Sequence, residues 1–179
     1  DEILKGVADQ YRKLRNTFRY LLGALDGFSE EERQEANLPP LERYILSELA
    51  YLDRKLRKAV DDFDFNSYVR ALTDFCNEDL SAFFFDIRKD CLYCDAVDSH
   101  KRRSYRSVLD ILFNALVRYA APVLVFTAEE VWQSRYPGSD SVHLLEWPEI
   151  GRWEDDDLGT EWTALRALRA QVLEAIEPM

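Results

Sequence analysis

The chain has 179 residues, of which 47% are hydrophobic and 32% are charged, with six glycines and six prolines. This composition is typical of a soluble globular domain rather than a disordered chain, and the length suffices for one hydrophobic core. The sequence has no run of 18 apolar residues and no basic-then-apolar leader, so we expect neither a transmembrane helix nor a secretory signal.

The net charge of −11 argues against a nucleic-acid partner, but the charges are unevenly distributed. Residues 11–20 carry four cations and no acid, and residues 100–106 do the same, whereas residues 153–161 carry five acids and no base. Screening limits the reach of a charge to a Debye length of ~8 Å in physiological salt. Each local basic stripe can therefore bind phosphates despite acids elsewhere.

The three cysteines, Cys76, Cys91 and Cys94, are too few for a disulfide framework and favour a reducing compartment, so we predict a cytoplasmic location. Cys91-Leu-Tyr-Cys94 has the spacing of half a zinc site. A closed zinc site needs four ligands, and His100 and His143 offer no second pair at a suitable spacing. We interpret the spacing as coincidental and predict no metal site in this chain.

The first predicted helix covers about 25 residues and ends at Asp26 and Gly27, before an acidic loop over residues 29–40 that closes with prolines. Apolar residues recur every three or four positions along it, so one face is predicted to be buried. This face comprises Ile3, Leu4, Val7, Tyr11, Leu14, Phe18, Leu21, Leu22 and Leu25.

The same periodicity predicts a second helix from about Leu41 and a third from about Phe65 to Arg88, followed by an irregular segment over residues 89–99. Asp64 is the predicted N-cap of the third helix. The predicted inward positions are Leu41, Ile45, Leu49, Leu52, Leu56 and Val60 in the second helix, and Val69, Leu72, Phe75, Cys76, Leu80, Phe83, Phe84 and Ile87 in the third.

A fourth long helix is predicted to begin near Ser99 and to kink or end at Pro122, which lacks a backbone N–H. Thr127-Ala-Glu-Glu130 has the spacing of a capping box, so a short helix is predicted to restart at Thr127. Residues 137–157 form a tail, and a last amphipathic helix covers about 158–177. Its predicted inward positions are Leu158, Trp162, Leu165, Leu168, Val172 and Ile176.

These patterns together predict an all-α helical bundle. We expect residues 1–136 to form the bundle, and residues 137–179 to form a tail and C-terminal helix that pack on it or lead to a further domain. Trp132 and Trp147 are predicted to be structural anchors. The sequence has no glycine-rich phosphate-binding motif and no recognisable nucleophile motif, so we predict no catalysis in this chain.

The outer face of the first helix is the best candidate for a binding site. Arg and Asn side chains hydrogen-bond base edges, and Arg pairs with phosphates. A purely solvated face is the alternative interpretation, but such a face usually mixes charges, and residues 11–20 contain no acid. The face consists of Lys5, Asp9, Arg12, Asn16 and Arg19, flanked by Lys13 and Arg15.

Four segments carry a family resemblance. In chain order they read YRKLRNTFRYLLG (11–23), KDCLY (89–93), FTAEEVW (126–132) and SVHLLEWP (141–148). They resemble segments of the anticodon-binding domain of isoleucyl-tRNA synthetases, in the right order and over nearly the whole chain. The third is shared with valyl and leucyl relatives, whereas the first and last together are similar to the isoleucyl family.

The resemblance implies a bundle of the class I synthetase anticodon-binding type, within an enzyme that joins isoleucine to tRNA-Ile in an ATP-dependent reaction. This chain would be non-catalytic, and ATP with magnesium, an editing domain and a zinc site would lie outside it. The chain begins with Asp1 and ends at Met179 close behind a helical pattern, so we expect it to be part of a longer protein. The implied partner is tRNA-Ile, with no DNA or membrane partner, and we expect a cytoplasmic monomer.

The resemblance also implies which residues contact tRNA. A second, weaker patch is formed by Lys89, Asp90 and Tyr93, and Cys91 between them stands where the family often has Arg, which removes a possible phosphate contact. The main implied contacts lie on the first helix and are Arg12, Lys13, Arg15, Asn16 and Arg19.

Two alternatives remain open at this point. The first is the same domain of a valyl- or leucyl-tRNA synthetase. The second is a helical protein–protein adaptor whose acidic surface binds a basic partner. Steep salt dependence of tRNA binding would favour the RNA-binding interpretation over the adaptor.

Overall fold

The computed structural model describes residues 2–176, and within that range helices are the only regular secondary structure, as predicted. None of these helices is both long and apolar enough to cross a membrane. The elements are α1 (Glu2–Ala24), α2 (Pro40–Asp61), α3 (Phe65–Asp74), a π-helical segment (Phe75–Phe84), α4 (Phe85–Cys94), α5 (His100–Ala120), α6 (Val125–Arg135) and α7 (Asp156–Ile176), with single 3-10 turns at Val142–Leu144 and Gly151–Trp153.

The helix α5 lies at the centre of the bundle. It contacts α1, α2, α4 and α6, and side chains such as Leu109, Phe113 and Leu116 are fully buried. Each such side chain stabilises the fold by about 1.5–3 kcal/mol through its removal from water. The helices α1, α2, α4 and α6 therefore pack around α5, whereas α3 and α7 pack mainly on α2.

The helix α1 is buried only along its second half. Leu14, Phe18 and Leu21 pack in the core, whereas residues 2–8 are exposed, and Ile3 retains 83% of its accessible surface. The apolar stripe is continuous in sequence, but its first half has no neighbouring element to pack against. The predicted burial is therefore wrong for Ile3, Leu4, Val7 and Tyr11.

The third predicted helix is longer than the sequence indicates. The backbone stays helical from Phe65 to Cys94 through α3, the π-helical segment and α4. The prediction of irregular structure is therefore wrong for residues 89–94. In the π-helical segment the Ser81 hydroxyl donates to the Cys76 carbonyl, five residues earlier, over 2.9 Å, which fits the wider turn.

Two predicted helix starts are confirmed by their caps. The Asp64 carboxylate accepts a hydrogen bond from the Ser67 backbone N–H over 3.0 Å, and α3 begins at the next residue after Asp64. The Ser99 hydroxyl accepts one from the Arg102 backbone N–H over 3.4 Å at the start of α5. Each cap satisfies a donor that the first helical turn cannot pair internally.

The break between α5 and α6 surrounds Pro122, as predicted, since α5 ends at Ala120. The capping box, however, is wrong. The helix α6 begins at Val125, so Thr127 already lies inside its first turn and does not cap it. The Thr127 hydroxyl instead lies 3.1 Å from the hydroxyl of Tyr11 on α1.

The two tryptophans of α6 and the tail are structural anchors, as predicted. The Trp132 indole N–H donates to the Asp140 carbonyl over 2.9 Å. The Trp147 indole N–H donates to the buried Asp53 carboxylate over 2.5 Å, and its ring packs 5.0 Å from that of Tyr119. The Trp132 bond holds the tail against α6, and the Trp147 contacts hold it against α2 and α5.

The acidic segment 153–161 and the start of α7 also pack on α2. Asp155 pairs with Arg43 over 3.0 Å, and Trp162 stacks on Tyr44 with ring centroids 5.1 Å apart. Most of α7 beyond Trp162 has little cover, because only one side of the helix reaches the bundle. The prediction that its later apolar residues point inward is wrong for Leu165, Leu168, Val172 and Ile176, which are exposed.

Candidate nucleic-acid interface

The predicted tRNA-contact residues of α1 lie on one exposed side of the helix. Leu14 and Phe18, on the opposite side, are almost completely buried, whereas the Arg12 side chain is 71% exposed. The amphipathic period of the helix thus presents the polar residues to solvent. The five exposed residues are Arg12, Lys13, Arg15, Asn16 and Arg19.

An open groove of about 550 Å³ runs between α1 and α6 beside this face. Its walls combine guanidinium groups and a side-chain amide from α1 with hydroxyl groups from α6, over apolar residues. Such a mixture can pair with phosphates, hydrogen-bond a base edge and support an unstacked base. The lining residues are Arg12, Arg15, Asn16, Arg19, Leu22, Thr127, Glu130, Val131 and Ser134.

The contribution of α6 to this groove was not predicted from the sequence. Thr127, Glu130, Val131 and Ser134 are three or four residues apart and therefore share one side of the helix. That spacing is the only sequence signal for them, and the capping-box interpretation of Thr127 obscured it. Their position beside α1 depends on the tertiary fold.

One acid reduces the charge of the α1 face. Asp9 accepts a hydrogen bond from Arg12 and lies 3.6 Å from the Lys13 ammonium group. The bond from Arg12 lowers the pKa of Asp9 below its ordinary value. The expectation of unbalanced cations is therefore wrong for Arg12 and Lys13, because Asp9 stands one turn before them.

Arg15 and Arg19 keep their charge available. Within residues 2–176, neither forms an ion pair with an acid, although Glu130 shares the groove with both. Both side chains are exposed. They are the two cations of this face best placed to meet a phosphate.

The second predicted patch lies on α4. Lys89 pairs with Asp86 over 2.9 Å, which raises the pKa of the lysine, while Asp90 is exposed and Tyr93 is 75% exposed. The helix α4 adjoins α5 and the end of α1. A contact of these residues with tRNA stays a prediction.

Two arginines of the second basic segment, residues 100–106, have structural roles. The Arg106 guanidinium is buried, donates to the Ala24 carbonyl over 3.0 Å and pairs with Glu32 over 2.7 Å. Arg103 donates to the Glu32 carbonyl over 3.0 Å. The prediction of a phosphate-binding stripe is wrong for Arg103 and Arg106, because both bind the loop between α1 and α2.

The two cysteines of the C-x-x-C sequence lie in different environments. Cys91 is buried and Cys94 is exposed. Burial is the main cause that raises the pKa of the Cys91 thiol to about 12, and it does the same for Cys76. In residues 2–176 no three or more His, Cys, Asp or Glu side chains are grouped so as to hold a metal ion.

Comparison with known proteins places this structure in a family. A family model described as "Anticodon-binding domain of tRNA ligase" matches residues 42–178, from α2 onward. The isoleucine–tRNA ligase of Zymomonas mobilis is 60% identical over 99% of this chain and 20% of that protein. Those of Agrobacterium fabrum and Gluconobacter oxydans are each 50% identical over 98% of this chain and 18% of the relative.

The chain thus spans about a fifth of the length of the curated relatives that it matches. The span matched in the Zymomonas relative covers 99% of this chain and therefore extends over α1, and the all-helical bundle fits the matched family. This chain belongs to the anticodon-binding domain family of tRNA ligases.

Proposed function

We propose that this chain is the anticodon-binding domain of an isoleucine–tRNA ligase and that the exposed face of α1 binds the anticodon stem-loop of tRNA-Ile. The names and identities of the relatives support the first part. The unpaired cations beside the α1–α6 groove are the observation that carries the second. Joining isoleucine to tRNA with ATP and magnesium, and any zinc site, would belong to other parts of a cytoplasmic, monomeric enzyme.

Arg15 and Arg19 would set the affinity. Each guanidinium that pairs with a phosphate releases condensed counterions, which makes binding weaken as salt rises. Neither cation must first break an ion pair within the described residues, so neither loses a partner on binding. Arg12 is less effective in this proposal, because Asp9 already neutralises part of its charge.

Asn16 would read the bases. Its side-chain amide both donates and accepts hydrogen bonds, as a base edge requires, and it lies at the groove beside the apolar side chains of Leu22 and Val131. Unstacked loop bases expose those edges, whereas paired stem bases do not. The stem phosphates would therefore bind the cations while one loop base enters the groove.

The affinity part is tested with alanine variants of the chain and a tRNA-Ile transcript in a direct binding titration. Arg15→Ala and Arg19→Ala should each weaken binding about 3- to 10-fold, for every tRNA alike, because phosphate contacts carry no sequence information. Lys58→Ala is the matched control, since Lys58 is an exposed cation on α2 that pairs with Asp62. Equal losses in all three variants would refute this location.

The specificity part is tested with Asn16→Ala and two transcripts, tRNA-Ile and the same tRNA with an exchanged anticodon. The variant should bind the cognate transcript less well and the exchanged one almost unchanged, so that discrimination falls. An equal loss with both transcripts would remove base reading from the role of Asn16. Competition by tRNA-Val or tRNA-Leu as effective as that by tRNA-Ile would favour a related ligase instead.

A further inference from the structure

Glu129 and Glu130 are adjacent acids on α6 with different surroundings. The Glu129 carboxylate accepts hydrogen bonds from the Ser141 hydroxyl over 2.8 Å and from the Val142 backbone N–H over 3.0 Å. The Glu130 side chain is exposed, lines the groove between α1 and α6, and forms no hydrogen bond or ion pair within residues 2–176. The fold therefore uses the carboxylate of Glu129 and leaves that of Glu130 available to a ligand.

The other polar side chains on the α6 wall of this groove already have partners. The Ser134 hydroxyl donates to the Glu130 backbone carbonyl over 2.7 Å. The Thr127 hydroxyl lies 3.1 Å from the Tyr11 hydroxyl, within hydrogen-bonding distance. The Glu130 carboxylate is therefore the group on this wall that is best placed to bond a ligand.

The α1 wall carries groups of the opposite kind. Arg15 and Arg19 offer N–H donors, and the Asn16 amide offers donors and one acceptor. None of these three side chains forms a hydrogen bond or an ion pair in the part of the chain that the structure describes. A carboxylate can only accept hydrogen bonds. A ligand that bonds both walls therefore needs acceptors towards α1 and donors towards α6.

A phosphate group cannot meet both requirements. It carries acceptors but no donor at neutral pH, and the Glu130 carboxylate repels its charge. A base carries no net charge and presents donors and acceptors on one edge. Leu22 and Val131 add apolar surface to the lining, which can support the flat ring. The groove therefore favours an unstacked base over the RNA backbone.

Among the four bases, guanine fits this arrangement best. Its Watson–Crick edge carries one acceptor, O6, beside two donors, N1–H and the N2 amino group. A carboxylate can accept from both donors at once, while the Asn16 amide or an arginine N–H donates to O6. Uracil flanks its single donor with two acceptors, and adenine and cytosine place an acceptor next to the amino group. Each of these three bases would turn a lone pair towards the carboxylate.

We propose that Glu130 is a specificity determinant of this groove: its carboxylate accepts hydrogen bonds from the Watson–Crick donors of an unstacked loop guanine. This inference rests on the proposed function and deepens it, since Arg15 and Arg19 supply affinity and Glu130 selects the base. The carboxylate also offsets part of the charge of those arginines, which lowers the affinity for RNA in general. Selectivity and affinity should therefore change in opposite directions when Glu130 is neutralised.

The test compares the wild-type chain with Glu130→Gln in binding titrations of two synthetic hairpins that carry the anticodon stem and loop of tRNA-Ile. One hairpin is unmodified. In the other, inosine replaces each guanine of the loop, which removes the N2 amino group and keeps O6 and N1–H. The exchange of an exposed carboxylate for an amide of the same shape leaves the fold intact.

Glu161→Gln on α7 is the matched control. Glu161 is exposed and forms no ion pair within the described residues, so this variant loses the same charge as Glu130→Gln. The helix α7 packs on α2 and not on the groove between α1 and α6. An effect of net charge alone would therefore appear in both variants.

The wild type should bind the inosine hairpin about 5- to 10-fold less tightly than the guanine hairpin, because one hydrogen bond to a charged acceptor is lost. In Glu130→Gln this ratio should fall to about 2, since the amide oxygen is a neutral acceptor. The affinity of Glu130→Gln for the inosine hairpin should rise about 2-fold, because a negative charge beside the arginines is removed. Glu161→Gln should keep the wild-type ratio.

Equal binding of both hairpins by the wild type, or an unchanged ratio in Glu130→Gln, would overturn the proposal. A rise in affinity without a change in the ratio would mean that the carboxylate only offsets charge, and it overturns the proposal too. If Arg15→Ala and Arg19→Ala still weaken binding in those cases, the proposed function stands without this role of Glu130. Unchanged affinity in the two arginine variants would instead contradict the proposed function.

Discussion

Asp9 determines how much of the charge on the α1 face can act on RNA. It pairs with Arg12 and Lys13, and the bond from Arg12 lowers its pKa. A carboxyl group with a lowered pKa is ionised throughout the neutral range, so mild acidification does not free the two cations. Only removal of the carboxylate does so.

Asp9→Asn should therefore strengthen tRNA binding. The carboxylate would no longer offset the positive charges of Arg12 and Lys13. We therefore expect the affinity for tRNA to rise about 2- to 3-fold at low salt, and by less at high salt because salt screens exposed charges. Asp62→Asn is the matched control, since Asp62 pairs with Lys58 on α2. An unchanged or lower affinity for Asp9→Asn, measured by titration, would show that RNA does not approach this face.

The three thiols should differ in reactivity. Burial raises the pKa of Cys76 and of Cys91 to about 12, whereas Cys94 is exposed. A thiol with a raised pKa stays protonated at pH ~8, and the protonated form is a poor nucleophile. Mass spectrometry of the native chain after maleimide treatment should find one label, on Cys94. Rapid modification of a second thiol without unfolding would contradict the described packing.

At the scale of elements, Asp53 joins α2 to α5 and to the tail. Its buried carboxylate accepts hydrogen bonds from the Tyr119 hydroxyl over 2.6 Å and from the Trp147 indole, and it pairs with Arg57 over 2.7 Å. Burial, followed by the bond to Asp53, raises the pKa of Tyr119. The carboxylate is thus the acceptor on which the position of the tail depends.

Asp53→Ala should lower the free energy of unfolding by about 3 kcal/mol, because it leaves the buried Tyr119 hydroxyl and the half-buried Trp147 indole N–H without an acceptor. Urea denaturation followed by tryptophan fluorescence measures this loss and reports the release of Trp147. Trp147→Phe removes only the hydrogen bond from the indole to Asp53 and should lower the free energy of unfolding by less, about 1 kcal/mol. A larger loss for Trp147→Phe than for Asp53→Ala would argue against this role of Asp53.

The attachment of α7 depends on Arg166. Its guanidinium pairs with Asp79 and donates to the Tyr44 hydroxyl over 3.1 Å. Arg166→Ala should raise hydrogen exchange across residues 156–176 while the amides of α5 stay protected, because few other contacts hold this helix. Arg169→Ala, which removes a weaker pair with Asp86, is the control. Equal loss of protection in α5 would mean that α7 is integral to the core.

Sequence periodicity predicted the positions of the helices better than it predicted which of their residues are buried. The starts of α3 and α5 were predictable because their caps, Asp64 and Ser99, bond to residues only three positions later in the sequence. The exposed stripe of α1 could not be foreseen, because an apolar period does not tell whether a neighbour is present to cover it. The extension of the third helix from Lys89 to Cys94 was missed, because only Cys91 and Leu92 are buried in that stretch and two adjacent apolar residues show no period.

The candidate site was predictable only in part. The helical period places Arg15, Asn16 and Arg19 on the exposed side of α1. Arg106 has the same local signal, a cation among cations, yet it is buried with Glu32, which lies 74 residues away. Whether a cation is buried in an ion pair or exposed to a ligand depends on long-range pairing of this kind. Local patterns in a single sequence do not show such pairing.

At the scale of the whole molecule, a net charge of −11 is compatible with RNA binding because most acids lie away from the α1 face, where Arg15 and Arg19 form no ion pair within residues 2–176 although Asp9 and Glu130 are close by. The acidic segment 153–161 packs against α2, where Glu154 and Asp155 pair with arginines. A negative field elsewhere disfavours wrong approaches and directs a phosphate backbone towards α1.

The salt dependence of tRNA binding by the wild-type chain and by an Arg15→Ala/Arg19→Ala double variant tests the central claim most directly. If each arginine pairs with one phosphate, the slope of log affinity against log salt should be shallower by about 1.5 in the double variant, alongside a clear loss of affinity. The same slope and affinity for both proteins would show that the exposed cations of α1 do not contact the RNA.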